Sequence, residues 1–122
     1  MTKLIIVDDE VIFTVLLKKV ISGLGHEILA IAHSGKDAVE LTSKFNPDMV
    51  LMDIAMDYKT DGIDACKKIK KRRPEIKIFF LSAFDQFIFK NELKNITYDG
   101  YIDKSQLMMD MEGKLMTIFD NN

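Results

Sequence analysis

The sequence lacks the features of an exported or membrane-bound protein. Cys66 is its single cysteine, so no internal disulfide can form, and no apolar run reaches the length that spans a membrane. The first residues do not follow the plan of a signal peptide. We therefore expect a cytoplasmic protein without membrane contact, in which Cys66 is a small buried hydrophobe.

The chain also lacks a strong excess of charge of one sign. Its 17 basic and 19 acidic residues give a formal net charge of -2, which argues against a dedicated nucleic-acid binder. The basic run KKIKKRR at 67–73 is interpreted as the solvated end of a helix, where cations suit the helix dipole. No linker, repeat or low-complexity tract interrupts the 122 residues, of which 48% are hydrophobic. This composition predicts one domain, residues 1–122, with a substantial core.

Five short apolar runs are spaced along the chain, at 4–7, 28–32, 49–52, 78–81 and 100–102. They are nearly continuous rather than alternating, which is typical of strands in a sheet that is covered on both faces. Stretches with helical periodicity lie between these runs and after the last one, and they predict five helices. The residues that mark the helical faces are Phe13 to Leu24, Ala38 to Phe45, Ile63 to Ile69, Phe89 to Ile96 and Leu107 to Ile118. Alternating strands and helices predict an α/β fold with a doubly wound parallel sheet.

This fold predicts where a functional site lies. Ligands of open parallel sheets bind beyond the carboxyl ends of the strands. The residues that follow the first, third, fourth and fifth apolar runs are, in that order, Asp8 with Asp9, then Asp53, Ser82 and Lys104. Three carboxylates, a hydroxyl and an amine are therefore expected at one edge of the sheet.

These residue types favour magnesium and phosphoryl chemistry. Three carboxylates form a hard, oxygen-rich pocket suited to Mg²⁺, which leaves coordination positions open for phosphate oxygens. A carboxylate can also attack phosphorus when cations neutralise the transferring group. Asp53 is placed to be that nucleophile, with Lys104 and Ser82 contacting phosphoryl oxygens.

Five short motifs accompany these site residues: VDDE at 7–10, LMDIAM at 51–56, DG at 61–62, LSA at 81–83 and GYIDK at 100–104. Together they resemble the motifs of the receiver domains of two-component response regulators. All five occur in the family's order at suitable spacing. The resemblance implies a flavodoxin-like sheet with strand order 2-1-3-4-5, and a signalling switch rather than an enzyme, one that assists only its own phosphorylation and dephosphorylation.

The resemblance also implies residue roles. Asp53 would accept a phosphoryl group from a sensor histidine kinase, in a Mg²⁺-dependent transfer. Asp8 and Asp9 would bind Mg²⁺, with the second acid as the usual direct ligand, and the backbone carbonyl of Ala55 and Asp53 itself would complete the protein's share of the coordination. Tyr101 would be the switch aromatic, which changes conformation together with Ser82 when Asp53 is phosphorylated.

An output surface is expected between residues 84 and 119, on the fourth helix, fifth strand and fifth helix. The apolar residues Phe84, Phe87 and Ile88, with Phe89, Leu93 and Ile96, are too many for one buried helix stripe, so some should be exposed. In receivers this face commonly binds an effector domain, an effector protein or a second copy. A homodimer through it is therefore one expected outcome, with no direct nucleic-acid binding by this domain.

Two departures from the family pattern leave alternatives open. Asp57 replaces the family's usual proline, and Ser105 replaces the proline that often follows the lysine, where a cis peptide bond costs about 2.5–4 kcal/mol without proline. One alternative is a degenerate receiver that acts as an unphosphorylated scaffold. Another is a small Mg²⁺-dependent phosphatase with an aspartate nucleophile, although Ala55 stands where that chemistry needs a second acid. A flavodoxin-like cofactor carrier would need a phosphate loop after the first strand, where acids stand instead.

Overall fold

The computed structural model describes residues 1–120 and contains one parallel sheet of five strands. The strands are β1 (Lys3–Val7), β2 (Glu27–Ala32), β3 (Met49–Asp53), β4 (Lys77–Ser82) and β5 (Gly100–Asp103). Their order across the sheet is β2-β1-β3-β4-β5, and every neighbouring pair is parallel. The predicted doubly wound, flavodoxin-like fold is thus confirmed.

Six α-helices and one short 3-10 helix connect these strands within residues 1–120, where five helices were predicted. The α-helices are α1 (Val11–Gly23), α2 (Gly35–Lys44), α3 (Asp61–Arg72), α4 (Lys90–Leu93), α5 (Lys104–Met109) and α6 (Met111–Asp120). The 3-10 helix spans Gln86–Phe89 and runs directly into α4. The difference in number arises at one place in the chain.

The predicted fifth helix is split at Asp110. This residue has non-helical dihedral angles, φ -158° and ψ 73°, and its Oδ1 accepts a hydrogen bond from the Gly113 N–H at 3.1 Å. A short acidic side chain that bonds to nearby backbone in this way competes with helix continuation and favours a helix start. The apolar face continues across the break, because Leu107, Met111 and Leu115 are all buried.

The predicted fourth helix is shorter than its sequence pattern indicated. Asp85 begins the 3-10 helix by accepting a hydrogen bond from the Phe87 N–H at 2.8 Å, and α4 ends at Leu93, before Ile96. Only Phe89 and Leu93 of this segment are buried. With two buried anchors, little tertiary packing supports a longer helix.

The sheet separates two apolar layers. Alternate residues of a strand point to opposite faces, so that Ile5 and Val7 pack with α2, α3 and α4, whereas Leu4 and Ile6 pack with α1, α5 and α6. The central strands β1, β3 and β4 are almost entirely buried, while β2 and β5 are the half-buried edges. The helices therefore cover both faces of the sheet, and the connections that follow the carboxyl ends of the strands lie together at one edge.

Local capping and burial account for two helix ends and for the single cysteine. Ser34 is the N-cap of α2, where its side chain accepts from the Asp37 N–H at 3.1 Å, and Gly25 supplies a φ of 91° just after α1. Cys66 is fully buried, and burial raises the pKa of its thiol to about 12, so it is an inert core residue. Across residues 1–120, no helix combines the length and apolar character needed to span a bilayer.

Candidate functional site

Four of the predicted site residues meet at the carboxyl edge of the sheet. Asp8 follows β1, Asp53 ends β3, Ser82 ends β4, and Lys104 begins α5 directly after β5. All four are polar or charged yet nearly inaccessible, with relative exposures of 0%, 5%, 1% and 8%. Because buried charges are costly unless paired, this cluster is a built site rather than a solvated rim.

The Lys104 ammonium is the centre of the cluster. Its Nζ lies 2.7 Å from Asp8 Oδ2, donates a hydrogen bond to Glu10 Oε1 at 2.9 Å, and lies 3.4 Å from Asp53 Oδ2. The Phe13 ring centroid is 4.7 Å from the same nitrogen, a cation–π distance. One ammonium is thus shared by three carboxylates that converge from β1 and β3.

The two oxygens of Asp8 have different environments. Oδ1 accepts a hydrogen bond from the Glu10 N–H at 2.9 Å. Oδ2 is fully buried, and its partner is the Lys104 ammonium, with which it forms an ion pair at 2.7 Å. His33 further fixes the loop, since its Nδ1 lies 2.9 Å from the Asp8 carbonyl oxygen.

Burial and neighbouring charge perturb the Asp53 carboxyl. Burial foremost, and then the negative charge of Asp8, raise its pKa, and although Lys104 partly offsets both, the pKa rises from 3.8 to about 7. The carboxyl group is therefore poised near neutrality, so that a cation placed beside it would favour the ionised, nucleophilic form.

The Lys104 ammonium remains charged in spite of its burial. Burial by itself lowers the pKa of Lys104, but the carboxylates around it, Asp8 and Glu10 foremost, raise the pKa above its ordinary value. Lys104 is therefore a permanent positive charge in the site rather than a proton donor.

The acidic cluster has the donor chemistry of a magnesium site. Carboxylate oxygens of Asp8, Glu10 and Asp53 lie within 4.8 Å of one another, and a single ammonium, that of Lys104, is shared among all three carboxylates. Mg²⁺ prefers such hard oxygen ligands and retains several waters. Asp9 is exposed and does not belong to this group in the described residues, so its role as the direct ligand stays a prediction.

The backbone of the β3–α3 connection packs tightly against Asp53. Gly62, at the start of α3, donates its N–H to the Ile54 carbonyl at 2.8 Å. Asp61 Oδ2 accepts from the Asp57 N–H at 3.1 Å, which closes the loop between β3 and α3. Ala55 is half-buried in this connection, and the metal-ligand role of its carbonyl stays a prediction.

The departure at Ser105 has a structural explanation. Asp103 is the N-cap of α5, and its Oδ1 accepts from the Ser105 N–H at 2.8 Å, a donor that proline would lack. Hydrogen bonds from Ser105 lower the pKa of the Asp103 carboxyl. All peptide bonds in residues 1–120 are trans, and Lys104 still reaches the site. The cap also explains the polar residue at the end of β5.

Ser82 and Tyr101 are joined through one peptide segment. Ser82 Oγ accepts a hydrogen bond from the Phe84 N–H at 3.0 Å, and the Tyr101 hydroxyl donates to the Phe84 carbonyl at 2.7 Å. Tyr101 is half-buried, and burial raises the pKa of its phenol. The two predicted switch residues therefore both form hydrogen bonds with the backbone of Phe84, whose side chain is 49% exposed.

Three contacting residues were not assigned site roles from the sequence: Glu10, Phe13 and His33. Glu10 was recognised as one of three adjacent acids, yet its pairing with a lysine on another element was not. His33 directly follows β2, so the rule that site residues follow strand ends would have found it. Phe13 carries no sequence signal beyond that of a core aromatic.

Comparison with known proteins agrees with this geometry. The family model of the response regulator receiver domain matches residues 4–115. The chemotaxis protein CheY of Thermotoga maritima is 40% identical over 84 residues, which are 69% of this chain and 69% of that protein. The transcriptional regulatory protein DegU of Brevibacillus brevis is 32% identical over 103 residues, 84% of this chain but 43% of DegU.

Solved structures show the same fold. A DNA-binding response regulator of the LuxR family from Staphylococcus aureus superposes with a TM-score of 0.85 at 28% identity, covering 100% of both chains. The receiver domain of the regulator NarL from Mycobacterium tuberculosis, at 18% identity, gives a TM-score of 0.83 and supports the fold alone. On the family match and these relatives, the chain belongs to the response regulator receiver domains of two-component signalling.

Proposed function

We propose that this receiver domain is a phosphorylation-dependent switch in which Asp53 accepts a phosphoryl group from a sensor histidine kinase. The observation that carries the proposal is the buried Asp53 carboxylate, which lies 3.4 Å from the Lys104 ammonium and within the same acidic cluster as Asp8. A nucleophile, a fixed cation and a metal-type donor set occur together at the sheet edge where ligands bind.

The transfer is a displacement at phosphorus. An Asp53 oxygen attacks the phosphoryl group, the O–P bond forms as the P–N bond to the kinase histidine breaks, and the imidazole nitrogen keeps the electron pair. Lys104 offsets negative charge on the transferring oxygens, and Ser82 offers a hydroxyl to one of them. Mg²⁺, held by Asp8, Asp53 and Asp9 with the Ala55 carbonyl, would supply further positive charge at those oxygens.

The response is a population shift in the β4–α4 segment. When the Ser82 hydroxyl turns to a phosphoryl oxygen, it loses the hydrogen bond from the Phe84 N–H. This loss loosens the segment at Phe84, whose carbonyl accepts a hydrogen bond from the Tyr101 hydroxyl. A modification shifts a conformational equilibrium only through its different interactions with the two states, and these hydrogen bonds provide the difference. The surface that responds is the output face of α4, β5 and the helices after β5, within residues 84–119.

The partners follow from the family and from the exposed residues. A histidine kinase donates the phosphoryl group, and an effector domain, an effector protein or a second copy binds the output face. DegU is named a transcriptional regulatory protein and the Staphylococcus aureus structure a DNA-binding response regulator, which supports an effector of gene regulation. We place residues 1–122 in one receiver domain, acting in the cytoplasm without direct nucleic-acid contact.

Intact-mass measurement tests the proposal. The protein is incubated with Mg²⁺ and acetyl phosphate, and we expect a mass increase of one phosphoryl group that Asp53→Asn abolishes and Asp37→Asn, an exposed acid of α2, retains. Chelation of Mg²⁺ should prevent labelling. Labelling that persists in Asp53→Asn would exclude this acceptor, no labelling of the wild type would favour an unphosphorylated scaffold, and continuous turnover of a phosphomonoester would favour a phosphatase.

A further inference from the structure

Among the three carboxylates around Lys104, Glu10 is the one that the proposed transfer does not use. Its side chain is 64% exposed, whereas those of Asp8 and Lys104 are 0% and 10% exposed. Its carboxylate nevertheless lies 2.9 Å from the Lys104 Nζ, closer than Asp53 does. An exposed acid therefore holds the outer side of a buried ammonium.

The ammonium and a divalent cation compete for the same carboxylates. Asp8 Oδ2 is fully buried and forms an ion pair with Lys104 Nζ at 2.7 Å, and Asp53 Oδ2 lies 3.4 Å from the same nitrogen. A cation that binds Asp8 and Asp53 therefore weakens the hold of both carboxylates on the ammonium. A buried charge that loses its partners is strongly unfavourable, so displacement without a second counter-ion would weaken cation binding.

Glu10 is positioned to be that second counter-ion. It reaches the ammonium from the solvent side. Because its carboxylate lies outside the buried pair of Asp8 and Asp53, Glu10 can keep this contact while those two residues bind a cation. The Phe13 ring, 4.7 Å from the same nitrogen, gives a further favourable contact that needs no carboxylate. Lys104 thus has a set of partners that remains available after Asp8 and Asp53 bind a cation.

We propose that Glu10 is a positioning residue for Lys104, which retains the ammonium at the edge of the site while a divalent cation binds Asp8 and Asp53. The inference rests on the proposed function only in that it assumes a cation-bound working state. It predicts that Glu10 strengthens cation binding through Lys104, rather than as a metal ligand or as general negative charge.

A double-mutant cycle separates these possibilities. Thermal melting is measured against Mg²⁺ concentration for the wild type, Glu10→Gln, Lys104→Met and the double variant. We expect Glu10→Gln to raise the Mg²⁺ concentration for half-maximal stabilisation by about tenfold, equivalent to about 1.4 kcal/mol. In the Lys104→Met background, which has no ammonium to retain, the same change should shift it by less than about threefold.

The control and the contrary results are defined in the same titrations. Glu27→Gln removes an exposed charge at the opposite end of the sheet, where β2 begins, and should leave the titration unchanged. Equal shifts from Glu10→Gln in both backgrounds, or no shift in either, would overturn the inference. These titrations involve no phosphoryl transfer, so a wild type that responds to Mg²⁺ but is never labelled at Asp53 would refute the proposed function alone.

Discussion

The backbone of Gly62 passes so close to Asp53 that a β-carbon at position 62 would lie 2.0 Å from the Asp53 carbonyl oxygen. This contact places the first turn of α3 directly against the end of β3, where the Gly62 N–H also bonds to Ile54. The glycine of the DG motif is therefore required by a close backbone approach, and the position of the acceptor depends on it.

We expect Gly62→Ala to lower the free energy of unfolding by about 2–4 kcal/mol, because backbone rather than a flexible side chain must move. It should also slow labelling of Asp53 by acetyl phosphate. Gly23→Ala is the matched control, since nothing lies within 4 Å of its added β-carbon, and it should change stability by less than about 1 kcal/mol. Urea denaturation measures both, and equal stability of the two variants would contradict the steric argument.

The raised pKa of Asp53 makes stability depend on pH in a defined direction. Its pKa is about 7 in the folded chain and 3.8 as the reference, so folding favours the protonated carboxyl. The stability that the fold gains when the Asp53 carboxyl is neutral is fully present below pH 3.8, and it is lost as the pH rises through about 7. In the absence of divalent cation, the ionised Asp53 therefore destabilises the fold at mildly alkaline pH.

Asp53→Asn removes this penalty. At pH 8 without Mg²⁺, we expect the variant to exceed the wild type in free energy of unfolding by on the order of 2 kcal/mol, and the difference to shrink as the pH falls toward 4. Added Mg²⁺ should reduce the difference at pH 8 by stabilising the wild type more strongly. A difference between the two proteins that is constant from pH 4 to 8 would show that Asp53 is not perturbed.

The sequence allowed the strands and most of the site edge to be predicted, because both depend on local patterns. Continuous apolar runs mark strands that are covered on both faces, and the parallel fold then brings Asp8, Asp53 and Lys104 to one edge. The preference of Lys104 for Asp8 over Asp53 could not be predicted. It depends on side-chain geometry between β1 and α5, which the spacing of residues does not encode.

Local backbone competition accounts for the helices that were wrongly predicted. Asp110 is compatible with an exposed helix position, and periodicity alone favours one helix from Leu107 to Ile118. The cap that Asp110 forms with Gly113 ends that helix without changing its buried face. Periodicity therefore identifies which residues are buried more reliably than where a helix breaks.

The lifetime of the phosphoryl group is expected to be long, because the two positions from which a side chain would orient the attacking water hold residues whose side chains cannot form hydrogen bonds. The two relevant positions in this family lie two residues beyond the acceptor and two beyond the hydroxyl, and they are occupied by Ala55 and Phe84. We expect Ala55→Asn or Phe84→Gln to quicken dephosphorylation by about tenfold or more, as measured by loss of the mass label. Phe87→Gln, three residues farther along and 67% exposed, is the control; decay that is equal in all variants would contradict the argument.

The proposed output surface contains exposed aromatic and aliphatic residues, as the sequence predicted. Phe84, Phe87 and Ile88 are 49%, 67% and 52% exposed, while the Lys90 ammonium lies 4.4 Å from the Phe87 ring centroid. Apolar side chains clustered at one end of a helix commonly mark protein interfaces. Phe84 also belongs to the segment that Ser82 and Tyr101 hold, so this surface is coupled to the site by direct contacts.

We therefore expect a homodimer or effector contact through this surface that strengthens when Asp53 carries a phosphoryl mimic. Phe87→Lys should weaken association, because it removes an apolar contact and places a second cation beside Lys90. Ile12→Lys, at an 86% exposed position on α1, controls for a charge added elsewhere on the domain.

Tyr101→Ala removes the hydrogen bond to Phe84 and should reduce the difference in association that the mimic makes. Sedimentation velocity with and without the mimic measures all four proteins, and association that is indifferent to the mimic, Phe87→Lys and Tyr101→Ala would place the output surface elsewhere on the domain.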